Sequence, residues 1–177
     1  MSLLDLKSQP GPDLPLPGDS LSIDTSVYYD KPDAVKNGEK FVVFSLNEKL
    51  FAVRSERIAE VAHPLSIAPL PGTRDWFLGL ANLRGGVIAV LNLKKMWNET
   101  HSAISDKAKL IVLRSGDSET VLAFQVDKLN EIVTLFDSEI HPNEKEGPGQ
   151  IYAVADHGPD TLHLIDVDKL RASLLFD

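Results

Sequence analysis

Apolar residues fall in short, dense runs along most of this chain. FVVFSL (41–46), LFAVR (50–54), VIAVLNL (87–93), KLIVLR (109–114) and TVLAFQV (120–126) are rich in Val, Ile, Leu and Phe. Such runs have the length of strands and are too short for helices. Turn signals separate them: Asn47-Glu48-Lys49, Arg84-Gly85-Gly86 and Ser115-Gly116-Asp117-Ser118. Helical spacing is weak, and only two short helical turns are predicted, at 93–97 and 167–174.

The pattern occurs twice. FAVRSERIAEV (51–61) and LAFQVDKLNEI (122–132) both run from apolar to polar and then to an acid flanked by branched residues. Glu60 matches Glu131 and Ile58 matches Leu129, an offset of 71. VVF (42–44) pairs with IVL (111–113) at 69, Ile67-Ala68-Pro69 with Ile140-His141-Pro142 at 73, and VIAVLNLKKM (87–96) with TLHLIDVDKL (161–170) at 74. The offset grows along the chain, as small loop insertions would make it. A repeat in one order implies one fold used twice. Each unit lies near the lower size limit for a self-sufficient core, so the two are expected to pack together through apolar side chains. The prediction is an all-β fold with short helices: two small barrels or curled sheets, which limit unpaired edges. The cleft between two such units is a natural binding surface.

Residues 1–40 differ. Pro10, Pro12, Pro15, Pro17 and Pro32 fall here, among many Asp and Ser, and Pro10-Gly11-Pro12 can continue neither a helix nor a central strand. The segment reads as a flexible or partly extended tail whose removal leaves the rest folded. A docking motif on Leu3, Leu4 and Leu6, or an element capping the domain, are the alternatives.

The 177 residues allow one or two domains. The lack of cysteine excludes disulfides and thiolate metal sites and fits a reducing compartment. No basic segment leads into an apolar one at the N-terminus, and no run approaches the roughly 18 apolar residues of a membrane span. A net charge of -8 argues against nucleic acid and against adsorption to an anionic membrane.

Catalysis needs a convergent constellation, and none is legible. His63, His101, His141, His157 and His163 show no metal-ligand spacing, although His157 and His163 flank Gly158-Pro159 and could meet across a hairpin. There is no phosphate loop, H-E-x-x-H or G-x-S-x-G. Arg84-Gly85-Gly86 joins two apolar runs and reads as a hairpin turn with positive φ at a glycine. Glu60 and Glu131, set among branched residues, either face solvent or pair with a cation. Arg84 is either a solvated turn residue or a guanidinium that forks onto a carboxylate or carbonyl. Trp76-Phe77 is either core or part of an exposed groove where aromatics anchor partners.

Taken in order, these residues resemble a known family. Glu60-Val61, Pro69-Leu70-Pro71, Gly79-Leu80-Ala81-Asn82-Leu83-Arg84-Gly85 and Val90-Leu91-Asn92-Leu93 look like the CheW-like domain, with its G-x-x-N-L-R-G turn followed by a strand and a leucine-ended segment. Val126-Asp127, Glu131-Ile132, Ile140-His141-Pro142 and Leu164-Ile165-Asp166-Val167 resemble the family's stretches in the second half. The likeness covers roughly residues 41–175. It implies two intertwined SH3-like five-stranded β-barrels, in pseudo-repeats of about 41–100 and 105–175 within a domain of 41–177.

The resemblance also implies a cytoplasmic, non-enzymatic adaptor without cofactor or metal. It would join membrane-anchored receptor arrays, binding the regulatory domain of a CheA-type sensor histidine kinase and the hairpin tip of chemoreceptors (methyl-accepting chemotaxis proteins). The output would be chemotaxis or pilus-linked motility. Residue by residue, Ile58 and Glu60 fall in the first partner-contacting stretch, Arg84 is the motif arginine near the receptor side, and Ala123, Leu129 and Ile132 match the second contact stretch. Two departures stand out: Ala89-Val90 replaces the family's Pro-Val, and Asn92 replaces an aspartate before the leucine. They point to a divergent member with a dedicated receptor or a pilus-linked paralogue. Two other readings compete: a fragment of a larger kinase or receiver protein, and a small β-barrel enzyme or ligand carrier, which would need a buried cluster of titratable groups.

Overall fold

The computed structural model describes residues 38–99, 107–115, 120–144 and 148–174. In chain order the strands are β1 (Glu39–Leu46), β2 (Lys49–Arg54), β3 (Ile58–Ala62), β4 (Ile67–Ala68), β5 (Phe77–Leu83) and β6 (Gly86–Leu91), closed by helix α1 (Leu93–Met96). The order then repeats as β7 (Lys109–Leu113), β8 (Val121–Val126), β9 (Lys128–Leu135), β10 (Ile140–Pro142), β11 (Ile151–His157), β12 (Asp160–Ile165) and α2 (Val167–Ala172). The sequence repeat thus matches β1 to β7, and so on to α1 and α2.

The halves exchange strands. One sheet runs β10-β11-β12-β2-β1-β9 and the other β4-β5-β6-β8-β7-β3. Each therefore joins the last four strands of one half to the first two of the other, which is the intertwining expected of the pair. The halves join through two antiparallel ladders, β1 with β9 and β3 with β7, and two parallel ones: Leu50 opposite Leu162 and Ala52 opposite Leu164 between β2 and β12, and Ile88 opposite Val121 and Leu91 opposite Phe124 between β6 and β8. Each sheet has six strands rather than five, counting the short β4 and β10.

Alternate residues of the exchanged strands serve different cores, because strand side chains point to opposite faces. Phe41, Val43 and Ala52 pack inside the first sheet with Leu162 and Leu164. Leu110, Val112 and Ala123 pack inside the second with Ile88 and Val90. The residues between them, Val42, Phe44, Phe51, Ile111, Leu122 and Phe124, build one joint layer with Leu91, Leu93, Ile165 and Leu170. Strands buried on both faces read as unbroken apolar runs. In the joint layer Phe44 lies 6.1 Å from Phe51 and 5.4 Å from Phe124, ring centre to ring centre. Deleting such a ring costs about 3–5 kcal/mol.

Element boundaries refine the sequence reading. The apolar run 87–93 ends as a strand at Leu91, and Asn92 caps α1 by accepting from the Lys95 N–H at 3.1 Å. Asp166 caps α2 in the same way, accepting from the Asp168 and Lys169 N–H groups. Asn92 in place of aspartate therefore keeps the cap, since both residues rank alike there. Ala89 sits inside β6 between Leu80 and Leu122. Glu39 and Lys40 belong to β1, so the strand begins before residue 41. The remainder of the tail, His101 and the 116–118 part of one turn signal lie outside the described residues.

Each helix is pinned to the other half. Lys94 of α1 is buried and donates to Asp127 Oδ1 at 2.8 Å, at the corner between β8 and β9. Asp127 Oδ2 accepts from the Asn47 N–H at 2.8 Å. Asp168, the repeat partner of Lys94, meets Arg57 at 2.5 Å at the corner between β2 and β3. The two pins have opposite polarity.

The hairpins explain the turn residues. Asn47 and Glu48 have φ of 49° and 68°, and Arg84 and Gly85 have 54° and 87°. Both are two-residue connections with two left-handed positions, the geometry that matches strand twist. The Asn of the N-L-R-G motif stabilises its turn: Asn82 Oδ1 accepts from the Gly85 N–H at 3.0 Å. Gly79 is demanded for another reason. Its φ is 134°, and a Cβ there would lie 2.1 Å from the Ala68 carbonyl oxygen on β4.

Gly79→Ala is expected to destabilise the protein by about 3 kcal/mol, combining backbone strain with the clash against β4. Gly85→Ala, with left-handed φ but open space around it, is expected to lose only about 1 kcal/mol. Urea denaturation of both variants checks this, and equal losses would contradict the close approach of β4 to β5.

Candidate functional site

The two repeat-matched glutamates lie on edge strands. Among the described residues, Glu60 is on β3, which pairs only with β7, and Glu131 is on β9, which pairs only with β1. The opposite edges, β4 and β10, are two and three residues long, with Pro69 directly after β4 and Pro142 ending β10. Proline cannot donate to a ladder, so it blunts those edges. Each sheet therefore keeps one longer edge for interaction.

Both glutamates meet a nitrogen side chain. Glu60 Oε2 accepts from Arg84 at 2.7 Å, so the turn before β6 reaches back to β3 across the curled second sheet. The Arg84 side chain is 80% exposed and stays available from outside. Glu60 thus pairs with a cation, while Arg84 meets it through one nitrogen, Nη2, and otherwise remains a solvated turn residue. Glu131 Oε1 lies 3.0 Å from His157 Nε2, a partner that sequence reasoning did not assign. The repeat offset places Gly158, not His157, opposite Arg84, so residue matching could not find it. His163 instead stacks on Phe51 with ring centres 5.3 Å apart. In the β11–β12 ladder His157 faces Asp160 while His163 faces Val154, so the hairpin does not bring the two histidines together.

The remaining candidate residues separate by burial. Ile132 is 65% exposed on β9, and Leu129 is half-buried against the joint layer. Ala123 is 0% exposed and lies inside the second sheet, and Ile58 is 8% exposed and packs in the joint layer. Their burial places Ile58 and Ala123 beneath the surface of β3 and β8. Val87, 63% exposed beside the Arg84 turn, and Val61 on β3 are apolar surface residues that the sequence hid inside strand runs. Trp76 and Phe77 are partly buried and pack against the joint layer, and Trp76 also lines an open groove, so it combines the core and groove readings.

Among the described residues no group of three or more His, Asp or Glu side chains is placed to hold a metal ion. A cavity of about 160 Å³ is lined by Arg54, Arg57, Tyr152, Asp166 and Asp168. Its charges are already committed, to Glu39, to Asp168 and to the α2 cap. Burial pushes the Tyr152 hydroxyl above its ordinary value, so it remains protonated. A more open groove lies between Trp76, Lys95 and Glu99. There the hydrogen bond from Lys49 holds the Glu99 carboxyl below its ordinary value of 4.5 and keeps it ionised. No described helix is long and apolar enough to cross a membrane.

Comparison with known proteins adds the following. The family model of the CheW-like domain matches residues 40–174. The chemotaxis protein CheW of Bacillus subtilis is 31% identical over 106 residues, covering 60% of this chain and 67% of that protein. Its counterpart in Thermotoga maritima is 28% identical over 141 residues, 78% of this chain and 90% of that protein. Among solved structures, the scaffolding protein TtCheW from Thermoanaerobacter tengcongensis superposes with a TM-score of 0.67 at 26% identity, covering 73% of this chain and 89% of that one. The SH3-like paired-barrel fold is shared with it.

Two outcomes follow for these charges. The Glu60–Arg84 pair is exposed, so a double-mutant cycle on thermal stability is expected to give a coupling of no more than about 0.5 kcal/mol. A coupling of several kcal/mol would make the pair structural. For Glu99, a carboxyl lowered in the folded state stabilises above its unfolded value and loses that contribution as pH falls. Glu99→Gln is therefore expected to melt below wild type at neutral pH, with the gap closing as pH falls well below 4.5.

Proposed function

The chain belongs to the CheW-like domain family, and from that premise we propose that this chemotaxis scaffold couples chemoreceptors to a CheA-type histidine kinase. One observation carries the reading: two repeat-matched faces, each an open edge strand bearing a glutamate, with the opposite edge short and ended or followed by proline. Two faces on one rigid body can hold two proteins at once.

The residues take roles according to their exposure. Glu60 and Arg84 offer a charged pair on the first face, with Arg84 toward the receptor side, and Val87 adds exposed apolar area nearby. Ile132, with Leu129 beneath, offers an apolar anchor beside Glu131 on the second. Ile58 and Ala123 fix the strands that carry these groups. The mechanism is geometric: a receptor rearrangement transmitted through a shared rigid body shifts the kinase between states. Signalling contacts of this kind can bury less than about 1,200 Å². A few anchors then dominate the affinity. The place of action is the cytoplasm, at membrane-anchored receptor arrays.

Glu60→Lys, Arg84→Ala and Ile132→Asp are each expected to leave the fold intact and to weaken binding of the kinase regulatory domain or the receptor tip. Losing one anchor is worth about 2 kcal/mol, roughly thirtyfold in Kd. Affinity measurements with both partners check this. Wild-type affinity of all three variants for both partners would overturn the assignment of these faces.

A further inference from the structure

The repeat sets a nitrogen side chain against the edge-strand glutamate in both halves, but the two differ in kind. Arg84 serves Glu60, and His157 serves Glu131. A guanidinium remains charged at every pH of interest, whereas an imidazole ordinarily changes charge between about pH 5 and pH 8. The two faces therefore carry the same device in a fixed and a titratable form.

Two carboxylates share the face of His157: Glu131 reaches it from β9 and Asp160 stands opposite it on β12, while Asp156, its neighbour on β11, points to the other face. From β10 comes His141, in register with Val154 and so further along the sheet. The His157–Glu131 contact is open to solvent on both sides, so its strength can shift without disturbing either core.

Resting on the reading of β9 as a partner-binding edge, we propose that His157 gates the Glu131 carboxylate according to pH. The imidazolium holds Glu131 to the β11–β12 hairpin as an ion pair. The neutral ring retains at most one hydrogen bond, set by its tautomer, and the carboxylate becomes available to a cationic side chain of a partner. The second face thus favours such a partner as pH rises, while the Glu60–Arg84 face does not respond. Because the pair is exposed, the change in availability is a few-fold, on the order of two to four.

The test is NMR of the full chain with labelled carboxyl carbons, from about pH 5.5 to about pH 8, the range in which imidazoles titrate. The expected result is a step in the Glu131 side-chain carboxyl shift with the midpoint of the His157 ring, and no such step at Glu60. His157→Gln is expected to abolish the Glu131 step, and His157→Arg to hold Glu131 at its low-pH shift throughout. A Glu131 signal that ignores the His157 titration, or a step that survives in His157→Gln, overturns the proposal. No partner enters this measurement, so its failure leaves the adaptor reading standing, whereas failure of that reading in binding assays removes the gate's partner and leaves only the pH-dependent contact between His157 and Glu131.

Discussion

The structure depends on the layer in which Phe44, Phe51 and Phe124 meet. These rings come from β1, β2 and β8, strands that leave their own half to complete the sheet of the other. Their other faces fill the interiors of the two sheets through Phe41, Val43, Ala52 and Ala123. Four strands buried on both sides thus bind three cores into one. Units of some seventy residues would be marginal alone. Sharing strands removes the need for either to be self-sufficient.

Charge complements this apolar bond. Lys94 to Asp127 and Asp168 to Arg57 fasten each helix to a corner of the opposite half, with signs reversed between the two pins. The reversal distinguishes the halves where their apolar patterns are alike. The faces offered outward follow the same logic. A repeated glutamate is kept on each open edge, while its nitrogen partner is free to differ, Arg84 in one and His157 in the other.

Much of the fold was legible because burial on both sides leaves uninterrupted apolar runs, and β1, β2, β6, β7 and β8 announce themselves that way. β9 does not: KLNEIVTL is an edge strand whose mostly exposed residues give no clear period. The exchange itself is invisible in sequence, since Leu50 or Ile88 would satisfy a strand from either half equally well. The same ambiguity explains the site. A run such as VLAF says that Ala123 is in a strand but not which side it faces, and it proved to face inward. Glu60 and Arg84 were legible as a motif, but their contact is made across the curl of a sheet. His157 was hidden because the hairpin it closes is matched by position to a glycine.

The strand exchange also has a consequence for synthesis. Of the described strands β1 and β2 leave the ribosome first, yet the sheet they complete needs β9 to β12, which ends at Ile165. The second sheet can close once β8 has emerged, whereas Phe41 and Val43 must wait for the last strands of the chain. At translation speeds of about 5–20 residues per second, these two apolar strands remain without their sheet for several seconds or more. Residues 39–54 are thus the stretch where a nascent chain of this protein most needs a holding chaperone.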